Sequence, residues 1–311
     1  MTTRSTILFF LVLWGMSSLS GVTSSAAPPQ AAAPATGETF GSAEEAVTTL
    51  TDALRAGKAD VVQSVLGPGS EKLLGSGDKY SDAAERRRFL GAYDEKHNLV
   101  SPEPGHMILQ VGNDDWPFPI PLVEAGGRWH FDSQAGAQEL VDRRIGRNEI
   151  AAIRTSLAYV DAQKAFFSLT GQYAQHLASS PGKHDGLYWP TAEGEPESPL
   201  APLMAQAQGE GYPGVRISGK PAPYHGYFFR ILSGQGTSAA DGARNYFSRM
   251  TKEFALVAWP ASYGASGIMT FIVNQDGIVF QKDLGPNTAA VAAATKLFDP
   301  DLTWARVDVE Y

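Results

Sequence analysis

The residues able to do chemistry are few, and their spacing matches no known reaction. Six histidines are present, His97, His106, His130, His176, His184 and His225. No two stand four apart, so no helix face offers the paired imidazoles of a zinc hydrolase, and no metal site is expected. Cysteine is absent, which excludes thiolate ligands, thiol nucleophiles and disulfides. Ser76-Gly77-Asp78-Lys79 and Ser180-Pro181-Gly182-Lys183 satisfy S-x-x-K. Both lie in Gly/Pro loops without the companion motifs of a penicillin-binding enzyme, so chance is the better account. "YGASG" at 263–267 is not G-x-S-x-G, and its turn joins two strands rather than a strand and a helix. Glu44-Glu45 and Asp114-Asp115 are adjacent pairs that point to different sides of any regular element. Asn274, Asp276, Gly277 and Asp283 mimic part of a calcium loop, but its first position would be Ile272, which cannot ligate. That segment reads instead as a β-hairpin turn, with Gly277 supplying a positive φ. No Gly-rich loop opens a helix after a strand, so no nucleotide cofactor is expected. The sequence therefore offers no catalytic residue, cofactor or metal ligand.

Aromatic and polar side chains remain. Trp189, Tyr224, His225, Tyr227, Trp259 and Tyr263 lie in or beside Pro/Gly-rich connections and form the candidate partner surface. Tyr and Trp combine a flat apolar body with a polar tip, which suits a peptide or a glycan. The competing expectation is that these rings cover the sheet as core. The net charge of −8 argues against nucleic acid and anionic membrane as partners. Two basic runs, "ERRR" at 85–88 and "DRRIGR" at 142–147, fall in helical patterns and read as solvated faces rather than phosphate clamps.

The elements that must position these groups fall into four stretches. Arg4, the apolar run 7–14 and the small residues to Ala26 read as a secretory signal peptide, 1–26. The apolar run is too short to span a membrane, so the product after cleavage has no stable span. Residues 27–38, "APPQAAAPATGE", read as a flexible linker. An N-terminal α+β domain, 39–135, opens on a capping box of Ser42 and Glu45. Helices are expected to 57, over 59–66 and over 82–96, then strands over 107–111, 118–123 and 128–131. Residues 136–311 hold a long helix over 138–177, a proline-rich connection to 223 with one helix at 200–208, and an antiparallel β-meander. Its strands are expected at 227–232, 254–259, 268–273 and 278–282, followed by a helix at 289–296 and a strand at 303–308. Helices and strands in separate runs make the fold class α+β.

Three stretches carry a family resemblance: "WPFPIPLVEAGGRWHFD" (116–132), "RRIGRNEIAAIRTSLAYVDAQKAF" (143–166), and "YHGYFFRIL" with "FALVAWPASYGASGIMTFIVNQDGIVFQKDLGP". On them the chain is identified as a member of bacterial domain-of-unknown-function family 2950. The resemblance covers nearly the whole chain after the signal. It implies an exported protein and assigns no catalytic residue to any position. Over 143–283 the order of long helix and β-meander also resembles pseudopilin and type IV pilin heads. A pilin helix begins with an apolar segment, whereas this one begins with "DRRIGRNE".

Together these features describe an exported, periplasmic or secreted protein. Its expected role is structural or binding, toward a protein or glycan of the cell envelope. The alternative is an envelope hydrolase whose site is assembled from dispersed residues. Oligomeric state is not written in the sequence. The boundary of small residues predicts an exported product that begins at or near Ala27. N-terminal sequencing that finds Met1 or Thr2 on the exported protein would overturn this.

Overall fold

The computed structural model describes residues 37–191, 194–213, 221–246 and 253–308. The expected signal peptide, 1–26, and the linker up to residue 36 lie outside them.

Helix α1 (Ala43–Ala56) starts where the capping box places it. Ser42 Oγ accepts from the Glu45 N–H at 3.1 Å, and the Glu45 carboxylate turns back to accept from the Gly41 N–H at 2.7 Å. Its buried stripe of Ala46, Val47, Leu50 and Ala53 packs on α2 (Ala59–Leu66) and on α3 (Lys79–Glu95). Helix α3 begins at Lys79 rather than 82, because Asp78 caps it and accepts from the Tyr80 and Ser81 N–H groups.

The first sheet holds β1 (His97–Glu103), β2 (His106–Val111), β3 (Trp116–Pro117), β4 (Leu122–Ala125) and β5 (Arg128–Phe131). It is antiparallel, ordered β1-β2-β4-β5, with β3 on β2. The sequence pattern misses β1, since nearly all its residues are exposed and no apolar alternation marks it. Of the strand expected over 118–123 only the last two residues pair, at the start of β4, which runs on to Ala125. Pro117, Pro119 and Pro121 cannot donate to a ladder, although Phe118 and Ile120 are still buried.

Helix α4 (Ser133–Thr170) runs 38 residues, roughly 57 Å at 1.5 Å each. Asp132 caps its start and Gly171, left-handed, caps its end. It therefore stops short of the expected 177. Residues His176–Ala178 form β6 instead, paired in parallel with β7 (Gly186–Tyr188). Helix α5 (Ala201–Gly209) lies in the connection that follows.

The second large sheet combines β8 (Tyr227–Ile231), β11 (Ala255–Pro260), β12 (Met269–Asn274), β13 (Val279–Asp283) and β15 (Ala305–Arg306), in the order β15-β13-β12-β11-β8 and antiparallel throughout. The last strand is shorter than the expected 303–308. A small sheet of β9 (Gly234–Gln235), β10 (Arg244–Asn245) and β14 (Leu297–Phe298) sits beside it, after helix α6 (Thr288–Ala294). Strand β11 is contacted by both α4 and α6 and is buried along its length apart from half-buried Trp259. Burial on two faces explains why "ALVAWP" is continuously apolar rather than alternating.

The protein is thus α+β, with two hydrophobic clusters. One gathers Phe40, Leu50, Leu109, Ile120, Leu122 and Phe131; the other gathers Tyr159, Phe166, Leu187, Phe254, Phe271 and Val273. Helix α4 supplies Ala137 to the first and Ala152 through Phe166 to the second, so one rigid element joins both. Among the described residues no helix is long and apolar enough to cross a membrane.

The first turn of α4 lies directly on the proline segment. A Cβ on Gly136 would fall 2.0 Å from the Pro119 carbonyl oxygen, whereas one on Gly146 would meet nothing within 4 Å. Gly136→Ala is expected to lower stability by roughly 2–4 kcal/mol through overpacking. Gly146→Ala is expected to raise it by about 0.5–1 kcal/mol through helix propensity. Urea unfolding midpoints of the two variants check this pair. Equal effects would mean that the close approach at Pro119 is wrong.

Candidate functional site: a carboxylate-anchored aromatic cluster and its cavity

The polar groups converge where the start of α3, the segment after α5 and the turn before β8 meet. Asp78 is at the centre and is fully buried. Its Oδ1 accepts from the Tyr80 N–H at 3.1 Å and the Ser81 N–H at 3.2 Å. Its Oδ2 accepts from the Tyr212 hydroxyl at 2.8 Å and the Gly226 N–H at 2.9 Å. Four donors and the positive end of α3 offset the desolvation that burying a carboxylate costs.

Tyr212 receives as well as gives: its oxygen accepts from the His225 N–H at 3.0 Å. That contact holds the turn Tyr224–Tyr227, whose two ends exchange backbone hydrogen bonds. His225 and Gly226, between them, both have positive φ, 47° and 74°. Such a pair of left-handed residues makes a tight turn matched to strand twist, and it costs strain at His225, a side-chain-bearing residue. The donors from Gly226 and His225 to the Asp78–Tyr212 pair counter that strain.

The rings pack around this anchor. The centroid of Tyr212 is 5.3 Å from that of Tyr80 and 5.0 Å from that of Tyr224. Glu210 places Oε2 3.0 Å from His225 Nε2, and its Oε1 accepts from Gln206 Nε2 at 3.0 Å. Burial raises the phenols of Tyr212, Tyr224 and Tyr227 above the usual range, and the neighbouring Asp78, Glu210 and Glu149 carboxylates add to the effect in that order. These hydroxyls stay protonated and act as hydrogen-bonding groups rather than nucleophiles.

Beside the cluster lies an apolar cavity of about 350 Å³. Leu177, Leu203, Met204, Tyr212, Tyr224 and Phe229 are among its walls. Its chemistry is that of an apolar receptor with polar tips at one edge.

Of the six residues in the sequence-derived surface, the structure gathers only Tyr224, His225 and Tyr227 at this turn. Tyr227 faces inward, fully buried, and its hydroxyl donates to the Met269 carbonyl at 2.9 Å. Trp189, directly after β7, is buried against Phe166 and His184. Neither side chain can face a partner. Trp259 is half-buried against Phe228 on the next strand. Tyr263 sits in the turn before β12, its hydroxyl 3.2 Å from Asp283. Asp78 and Glu210 are absent from the sequence-derived set. Asp78 falls within an S-x-x-K match, and the signal that marks it is an Asp directly before a helical run, the pattern of an N-cap.

The fold and this site define an α+β protein with an internally anchored apolar cavity. The chain belongs to the family described as "Protein of unknown function (DUF2950)", whose model matches residues 37–307. No curated protein and no solved structure matches it, so the resemblance to pilin heads gains no support.

The raised phenols give a pH prediction. Above about pH 10 the unfolded chain releases phenol protons that the folded chain retains. Stability present at neutral pH therefore falls as pH rises through and beyond 10, and phenolate absorbance should appear together with unfolding. Tyr212→Phe removes one donor from Asp78 and the acceptor of the His225 N–H, and is expected to cost about 1–3 kcal/mol at neutral pH. A smooth phenol titration near 10 without loss of structure, or a neutral Tyr212→Phe, would contradict the assigned network.

Proposed function

We propose that the protein is an exported binding module of the cell envelope, and that the cavity walled by Tyr212 and Tyr224 is its receptor. The observation that supports this most is an apolar cavity whose walls include the rings of Tyr212 and Tyr224, both with raised phenols that stay protonated. The fitting group is an apolar side chain of an envelope protein. A glycan would need polar walls to replace its lost water, and these walls are largely aliphatic and aromatic. Export rests on the signal-like residues to Ala26.

The hydrolase reading has one observation in its favour, the His225–Glu210 pair. A base of this kind needs a hydroxyl nucleophile within reach, and among the described residues no serine or threonine hydroxyl bonds to His225.

The neutral apolar fluorophore N-phenyl-1-naphthylamine is expected to bind saturably and to lose about tenfold in affinity in Leu203→Trp, which fills the cavity. A photo-crosslinker at position 224 should capture an envelope component whose adduct is removed by protease and not by glycosidase. Position 302, fully exposed, serves as the control. Hydrolysis of envelope polysaccharide or peptide that disappears in His225→Ala would overturn the binding reading in favour of the enzyme.

A further inference from the structure

A second cleft, on the other hydrophobic cluster, has a different chemistry. Its volume is about 490 Å³, and it lies among α1, α2, α3, β2, β3 and the first half of α4. Leu54, Val62, Leu66, Phe89, Phe118 and Leu140 line its apolar part. Around them stand five arginines, Arg86, Arg88, Arg143, Arg144 and Arg147, with Asp82 and Glu85. The two basic runs that look separate in sequence, one on α3 and one on α4, share this one cleft.

These arginines are not equivalent. Arg144 is structural: Nε donates to Glu85 at 3.1 Å, and its two terminal nitrogens donate to the Lys72 and Leu73 carbonyls at 2.9 and 3.1 Å. Arg147 shares Glu85 with it, so that carboxylate is already neutralised. Asp82 accepts from the Ser76 N–H, and burial raises its carboxyl toward the neutral form. Arg143 pairs with Glu139 and lies over the Trp116 ring. Arg86 and Arg88 are exposed and have no ion pair among the described residues. In a chain of net charge −8, with 33 acidic residues against 25 basic ones, acidic partners for them are plentiful. Unpaired guanidinium groups beside an open apolar cleft are what an oxyanion with an apolar tail requires.

We propose that this cleft binds a small amphipathic oxyanion, an aliphatic chain with a carboxylate or phosphate head, the chain against Leu54, Phe89 and Phe118 and the head at Arg86 and Arg88. A bare anion would leave the apolar floor unused, and a neutral lipid would leave the arginines unused. The proposal is independent of the cavity at Tyr224, which lies on the other hydrophobic cluster.

The test uses the full exported chain and dansyl-undecanoate, followed by fluorescence below its micelle concentration. Saturable binding is expected. Dodecanoate or dodecyl phosphate should displace the probe, and the stronger of the two identifies the head. Dodecanol should compete about tenfold less well, and inorganic phosphate not at all. Arg86→Ala/Arg88→Ala should bind about tenfold more weakly with an unchanged melting temperature, since neither side chain is paired. Ala59→Trp, at an exposed position on the cleft wall, should weaken binding by steric block, whereas Leu203→Trp in the other cavity should not. The proposal fails if binding does not saturate, or if dodecanol equals dodecanoate. It also fails if inorganic phosphate alone displaces the probe, if the double arginine variant binds normally, or if Leu203→Trp rather than Ala59→Trp removes the signal.

Discussion

The buried carboxylate of Asp78 fixes the relation between the start of α3 and the C-terminal connections. It accepts two N–H groups from its own helix, one N–H from Gly226 and the hydroxyl of Tyr212, partners that lie 148 and 134 residues away. A carboxylate taken out of water without such donors would be too costly to keep charged. All four must therefore be in place together, and that requirement sets the Tyr224–Tyr227 turn, the left-handed His225 and the position of the Tyr212 ring. The cavity edge is a consequence of this arrangement rather than an independent feature.

Helix α4 is the second constraint. Its polar side chains bind distant backbone: Asn148 Nδ2 donates to the Ser266 carbonyl at 2.9 Å, and Glu149 accepts from the Ile268 and Met269 N–H groups. Near its end Gln163, fully buried, donates to Tyr159 and the Ala174 carbonyl and accepts from the Ala174 N–H. The Asn148 and Glu149 contacts tie the helix to β12 and the turn before it, and those of Gln163 tie its end to the segment leading into β6, by directional bonds as well as by apolar packing. The same helix carries Arg144, Leu140 and Arg147 toward one cleft and Thr155 and Tyr159 toward the other. One continuous helix thus furnishes a wall to each of two chemically different cavities.

The distribution of charge follows from this arrangement. The acidic excess, 33 acidic residues against 25 basic ones, makes the average field of the chain negative. Local positive charge nevertheless accumulates where α3 and α4 run side by side. Net charge describes the average field; a cleft a few residues wide responds to the groups on its own rim.

Local features of this fold were legible in the residues. The capping box of α1, the β11–β12–β13 meander and the turn at Gly277 follow from short-range rules, because the groups that decide them lie within a few positions of one another. Strand β1 was hidden because solvent covers it and no apolar period marks it. The end of α4 was overrun because apolar residues continue past Gly171 into β6, and only the left-handed cap stops the helix. What the sequence by itself determined is the α+β class, the family and the absence of cysteine chemistry. Tertiary structure alone decided that Trp189 and Tyr227 are core, that Asp78 anchors Tyr212 and Gly226, and that two basic runs face one cleft. The physical reason is range: helix caps and turns are settled by neighbours in the chain, whereas burial and hydrogen bonding between residues more than a hundred positions apart exist only once the chain has folded.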